Sequence, residues 1–214
     1  MPKYSGFDPI QSHNVVTTSA STGGVDHAGN AGDTVLYLPF DDDVNDDSPL
    51  SQTITNRGSM TVDSTYAKFG SKSLKSETSG SLKIDNSAST DLDGSFTIEF
   101  FLYVVTHENS KTVYTHNDLN GTFAGALFWF SGGVLRLYAS SNGSNWNILN
   151  NSALGSISTD AWHHVAFTYD GSTYRAYVDG TRKWEVTSST TLPTGGHSYI
   201  LSRNEAGQYQ AGTN

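Results

Sequence analysis

From residue 34 onward, apolar and polar positions alternate in short runs. The clearest is Phe96-Thr97-Ile98-Glu99-Phe100-Phe101-Leu102-Tyr103-Val104. Successive side chains of a strand point to opposite faces. Phe96, Ile98, Phe100, Leu102 and Val104 therefore share one face, which the pattern assigns to a core. Thr97, Glu99, Phe101 and Tyr103 share the other. Two of those four are aromatic, so this second face is expected to be half covered or to line a groove. Val35-Leu36-Tyr37-Leu38-Pro39-Phe40 reads as a first strand closed by proline. Further strands are predicted over 52–55, 73–76, 81–84, 112–116, 124–130, 134–139, 162–169, 174–178, 183–187 and 198–201. Between them stand turn signals: Ser131-Gly132-Gly133, Ser140-Ser141-Asn142-Gly143, Asp170-Gly171 and Asp179-Gly180. No segment of ten or more residues holds a helical period. The reading is an all-β, antiparallel two-sheet jelly-roll sandwich. Phe96, Ile98, Phe100, Val165, Phe167 and Val178 are its expected core, joined by the strand tryptophans Trp129 and Trp162.

Residues 1–33 break this pattern. The stretch 15–33 is rich in Thr, Ser, Gly and Ala and carries no apolar period, so it reads as an extended arm or linker. The domain is expected to span 34–214. Composition agrees with many short strands. The 214 residues are 36% hydrophobic and 15% charged, yet 12% aromatic. A disordered chain of this polarity would be rich in charge and poor in aromatics. The net charge of −9 argues against a nucleic-acid groove, which needs clustered Lys and Arg. No apolar run approaches the roughly 20 residues of a membrane helix, so no membrane insertion is expected. The absence of cysteine excludes disulfides and thiolate chemistry.

Trp162-His163-His164-Val165-Ala166-Phe167-Thr168-Tyr169-Asp170-Gly171 leads into Tyr177-Val178-Asp179-Gly180. This resembles the signature of LamG-like jelly rolls in the concanavalin A-like lectin/glucanase superfamily. Phe69-Gly70-Ser71-Lys72-Ser73-Leu74, Phe96-Thr97-Ile98-Glu99-Phe100 and the opening Leu38-Pro39-Phe40-Asp41 fit the same family pattern. The resemblance covers 34 to about 210. It implies the sandwich fold, which hosts lectins, glycosidases, adhesion domains and viral surface proteins alike. The family's closing strand, roughly G-x-[IL]-D-[DE]-[IVL]-R-[IVL], has no counterpart before Asn214. Its place is expected to be filled by residues beyond 214 or by an arm.

Two stretches could carry chemistry. The acidic loop 41–47 supplies five Asp and one Asn, and calcium takes six to eight oxygens. Asp41, Asp43, Asp46 and Asp47 are the expected calcium ligands, and the resemblance implies structural calcium near this point of the fold. The loop Ser140-Ser141-Asn142-Gly143-Ser144-Asn145-Trp146-Asn147 sets one aromatic among amides and hydroxyls. Trp146, Asn142, Asn145 and Asn147 are the expected glycan contacts, against the alternative of a Trp covering a sheet edge. No catalytic residue is assigned. The family's laminarinase-type motif E-x-D-x-x-E is absent, because Glu99 is followed two residues on by Phe101. His163 and His164 are neighbours on a strand and point to opposite faces, so they are not a metal pair.

Two non-catalytic functions follow. The first is a structural protein of a virion surface, such as a head decoration, fibre or tail component, associating with other virion or surface proteins, as a homo-oligomer or otherwise. The second is a carbohydrate-binding or adhesion module of a larger bacterial surface protein. Both place the chain on a virion or extracellular surface.

Overall fold

The computed structural model describes residues 34–58, 60–75, 80–107, 110–118 and 123–202. The expected arm, 1–33, lies outside them, as does everything after 202. None of the described residues is helical, and none forms a helix long and apolar enough to cross a membrane.

Thirteen strands follow in chain order: β1 Ile54–Arg57, β2 Thr61–Asp63, β3 Ser73–Lys75, β4 Ser81–Ile84, β5 Phe96–Tyr103, β6 Lys111–Asp118, β7 Ala124–Ser131, β8 Val134–Ala139, β9 Leu149–Ser156, β10 Trp162–Tyr169, β11 Thr173–Val178, β12 Thr181–Thr187 and β13 His197–Ile200. Seven form a sheet in the order β1-β4-β13-β6-β7-β8-β9, four form a second in the order β12-β11-β10-β5, and β2 pairs with β3 as a ribbon. All these pairings are antiparallel.

The core lies between the two larger sheets. Phe96, Ile98, Phe100, Val165, Phe167 and Val178 are all buried, as the alternation requires. They meet Leu82, Ile84, Tyr114, Phe128, Leu135 and Leu137 from the facing sheet. Phe100 meets Phe128 edge-to-face at 5.1 Å, a geometry that aromatic quadrupoles favour. Trp129 and Trp162 depart from the expectation of core positions. Each stands on the outward face of its sheet, half-buried, because its register partners Arg136 and Tyr103 face outward too.

The β11–β12 turn is tight because Asp179 and Gly180 both take positive φ, 51° and 71°. That is the requirement of a two-residue hairpin loop of type I′. The segment 35–40, expected as a strand, pairs in no ladder among the described residues. It still alternates, with Leu36, Leu38 and Phe40 buried. The loop that follows it holds it instead. The Tyr37 N–H donates to Asp46 Oδ1 at 2.7 Å, and the Asp47 N–H donates to the Tyr37 carbonyl at 2.9 Å.

Candidate functional site

The glycan loop is built by its own amides. Asn142 Oδ1 accepts the backbone N–H of Ser144 at 2.9 Å and of Asn145 at 3.2 Å. Asn147 Oδ1 accepts the Ser141 N–H at 2.8 Å, and its Nδ2 donates to Ser141 Oγ at 2.7 Å. Asn142 and Asn147 are therefore braces that shape the loop. Asn145 stays exposed, with a longer 3.4 Å contact from Asn142 Nδ2.

Trp146 is half-buried at the top of this loop. Its ring lies 5.2 Å from Phe123 on one side and 5.2 Å from Tyr138 on another. Tyr138 is itself fixed, its hydroxyl donating to Asn151 Oδ1 at 2.8 Å. Arg136 Nη1 donates to the same oxygen at 3.1 Å. Asn151 takes positive φ, 55°, in β9, where the ladder to β8 slips register twice. The result is a braced aromatic surface with a guanidinium and amides along its rim. Tyr138, Arg136, Asn151 and Phe123 were not singled out in the sequence. A partial signal was present, since Val134-Leu135-Arg136-Leu137-Tyr138 alternates and puts Arg136 and Tyr138 on one outward face.

The acidic loop does structural work of its own. Asp46 is buried, and its carboxylate accepts four donors: Tyr37 N and Ser48 N on Oδ1, Ser48 Oγ and Gln52 N on Oδ2. A carboxylate has about four lone-pair sites, so Asp46 is filled by the fold and offers nothing to a cation. Asp41 Oδ1 accepts the Ser71 N–H at 2.8 Å and the Lys72 N–H at 3.4 Å. It sits so close to Gly70 that a Cβ there would lie 2.1 Å from it. This contact ties the opening Leu38-Pro39-Phe40-Asp41 to Phe69-Gly70. Asp43 accepts from Asn45, backbone and side chain, at 2.8 and 2.6 Å. Asp47 is exposed, and its pKa is raised, first by desolvation and then by the charges of Asp43, Asp46 and Asp42. Among the described residues, no three acidic or His side chains are gathered so as to hold a metal. The negative charges of Asp42, Asp43 and Asp46 around Asp47 are what would favour a cation here.

His163 and His164 do point to opposite faces. His164 Nε2 is 3.1 Å from Glu99 Oε2, and its ring lies 4.9 Å from Phe101. His163 stands between Ser158 Oγ, 2.9 Å from Nε2, and Asp179 Oδ2, 2.8 Å from Nδ1. This has the order of a nucleophile–base–carboxylate relay, which composition alone did not bring together. None of the three lines the groove described next. Asp179 Oδ1 also accepts the His164 N–H at 2.9 Å, so the cluster ties the β11–β12 turn to the start of β10. Burial alone would raise the Asp179 pKa, but hydrogen bonds from His163 and His164 carry it below the usual range.

The outward face of β5 is covered, as its aromatic content required. Tyr66 stacks on Tyr103 at 4.4 Å, Phe69 meets Phe101 at 5.2 Å, and Lys68 Nζ lies 5.3 Å from the Phe101 ring. Beside this layer a groove of about 430 Å3 lies between the second half of β5, the β2–β3 ribbon and the start of β6. Phe100, Leu102, Val104, Val105, Phe130 and Ile200 line its apolar part.

An antiparallel two-sheet jelly roll is what these parts define. Residues 76–213 match the laminin G-type model of the concanavalin A-like lectin/glucanases superfamily. The chain belongs to that superfamily. No curated protein matches it. Among solved structures it is similar to domain 4 of AbnA, a GH43 extracellular arabinanase from Geobacillus stearothermophilus, in complex with arabinotriose. There the identity is 13% and the TM-score 0.56, over 94% of this chain and 89% of that one. It is also similar to the binding domain of botulinum neurotoxin DC in complex with SialylT, with 11% identity and a TM-score of 0.57, over 95% of this chain and 44% of that one. At such identities the likeness is one of fold. The chain spans less than half the length of the toxin binding domains that it matches.

Proposed function

We propose that this chain is a non-catalytic glycan-recognition module of a surface protein, and that the Trp146 platform is its sugar contact. One observation carries the reading. Trp146 is buttressed by two aromatic rings on a surface that also carries the exposed Asn145 and, bonded to each other, Arg136 and Asn151. An aromatic face suits the apolar side of a sugar ring, and a few fixed polar groups set its orientation. A domain of similar fold in an arabinanase carries arabinotriose, so this architecture offers surfaces that sugars use.

A glycan array probed with the full chain and with Trp146→Ala tests it. The expected result is binding by the parent, loss of at least about tenfold in the variant, and a melting midpoint nearly unchanged. Equal binding by both chains, or no binding by either, would refute the assignment. Within this reading we place the module on a virion surface, as a decoration, fibre or tail component. The cysteine-free composition and the polar arm support that placement. Recovery of the chain in purified particles by mass spectrometry supports it. Recovery only in a bacterial cell-surface fraction would favour the adhesion-module alternative.

A further inference from the structure

The four edges of the two main sheets are not alike. β12 ends its sheet with Arg182, Lys183 and Glu185 exposed and with a bulge at its junction with β11. β9 ends the other sheet with two register slips, and β1 is only four residues long. Charge, bulges and shortness are how proteins keep sheet edges from pairing with other strands. β5 is neither short nor bulged, and its one charged side chain, Glu99, lies against His164. It is eight residues long and regular in its pairing to β10. Among the described residues, no strand pairs with its other side. The apolar groove of about 430 Å3 takes in the second half of β5, Phe100 to Tyr103, with residues of the β2–β3 ribbon and the start of β6.

A regular edge strand with no strand partner among the described residues, its second half lining an apolar trough, is the geometry that accepts an added strand. Main-chain hydrogen bonds supply the affinity, and alternate side chains enter the trough. The occupant must be extended, β-prone and able to place an aliphatic side chain inward. Of the chain outside the described residues, 203–214 contains no Val, Ile, Leu or Phe. The N-terminal arm contains Asn14-Val15-Val16-Thr17-Thr18, four β-branched residues in a row, which is strand composition. Reach is sufficient. Fifteen residues separate Thr18 from Thr34; extended, they span about 50 Å, against about 26 Å for an eight-residue strand. Phe40, six residues beyond Thr34, lines the groove, and the Val35 carbonyl accepts from Gln52 Nε2 at 3.1 Å, so the span from Thr34 to the groove is part of the length that the arm has to cover. A covalent tether also gives the chain's own arm a high effective concentration there.

We propose that the edge of β5 is a strand-acceptor site and that residues 14–18 of the same chain occupy it. The arm is then the closing strand of the sandwich.

Hydrogen exchange on the full chain tests this. The amides of residues 15–18 should exchange at least about tenfold more slowly than in a free peptide of the arm, independently of protein concentration. A V15D/V16D double variant, which keeps the arm but not its apolar face, should lose that protection. It should also speed exchange at Leu102–Val104 by a similar factor, while β11 stays unchanged. Deleting residues 1–30 should open the groove to an apolar fluorescent dye that the full chain does not bind. If the deleted chain fails to fold, the double variant still decides. Arm amides exchanging at free-peptide rates would overturn the proposal. So would protection that disappears on dilution, because a neighbouring copy would then supply the strand.

Discussion

Acid is expected to weaken this fold through one buried side chain. His116 on β6 is 2% exposed. Its Nδ1 lies 3.2 Å from the Tyr114 hydroxyl and 3.1 Å from Ser198 Oγ. Its Nε2 is buried with no hydrogen-bond partner among the described residues. A protonated imidazole must place a second N–H there, facing no acceptor, with its charge out of water. Burial accordingly pushes the His116 pKa down to about 3, against a weaker opposing pull from Asp91. In the unfolded chain the value returns to about 6.5. The folded pKa is the lower one, so between these values the unfolded state binds more protons, and stability falls as pH falls. One pKa unit is about 1.4 kcal/mol. From pH 6.5 to 4.5 the loss is therefore roughly 2 kcal/mol, or roughly 4 to 8 °C in melting temperature for a domain of this size. Asp63, Asp170 and Asp179 have lowered pKa values, so they hold their stabilisation until the pH falls below this window. Asp47 is shifted upward and acts with the opposite sign. Urea unfolding of the parent and of His116→Gln at both pH values isolates the term. The parent should lose about 2 kcal/mol more than the variant over the interval. Parallel pH profiles would refute the reasoning, because the proton would then bind elsewhere.

Two further outcomes concern the acidic loop. Asp46→Asn replaces an acceptor with a donor that faces donors, and it should destabilise by on the order of 3 kcal/mol, read by chemical denaturation at pH 7. A cost below about 0.5 kcal/mol would mean that the four contacts do not brace the loop. Millimolar calcium should raise the melting temperature by no more than about 2 °C over chelator, because Asp46 is filled, Asp41 already accepts the Ser71 N–H, and the other carboxylates of the loop are exposed. A rise above about 5 °C would demand a built site.

The sequence made some parts of this molecule legible because their periodicity is regular. β5 alternates along its first half, and the inward residues of β5 and β10 are the core in the predicted register. β9 was not foreseen, and its pairing to β8 explains why. Two register slips leave its buried residues, Leu149 and Leu154, five apart instead of on an even spacing. β2, three residues long, is too short to show a period. The first run, 35–40, shows the right alternation, but alternation reports burial and not ladder pairing. In the candidate site, Trp146 stood out by composition. Its supports did not, because Phe123 reaches it from just before β7 and Tyr138 from β8, with Asn151 of β9 bonded behind Tyr138. The amides expected to meet a ligand turned out, at Asn142 and Asn147, to be committed to the loop itself.

The family motifs share a physical role that redirects the search for function. Asp41 and Gly70 tie the opening segment to the ribbon, and His163 with Asp179 ties a turn to β10. These residues are occupied by the fold, so a site particular to this chain must lie where the fold makes no demand. The β8–β9 connection is such a place. Antiparallel neighbours can be joined by two residues, yet here nine, 140–148, separate Ala139 from Leu149. The added length folds on its own amides and presents a tryptophan, and ordered loops of that kind carry function more often than stability. Replacing 140–148 with Asn-Gly should therefore leave the melting midpoint within about 3 °C of the parent, since Ala139 and Leu149 stay paired across the ladder. The same replacement should abolish glycan-array binding. A large fall in the midpoint would show that the loop holds the sheet edge, and Trp146 would return to a packing role.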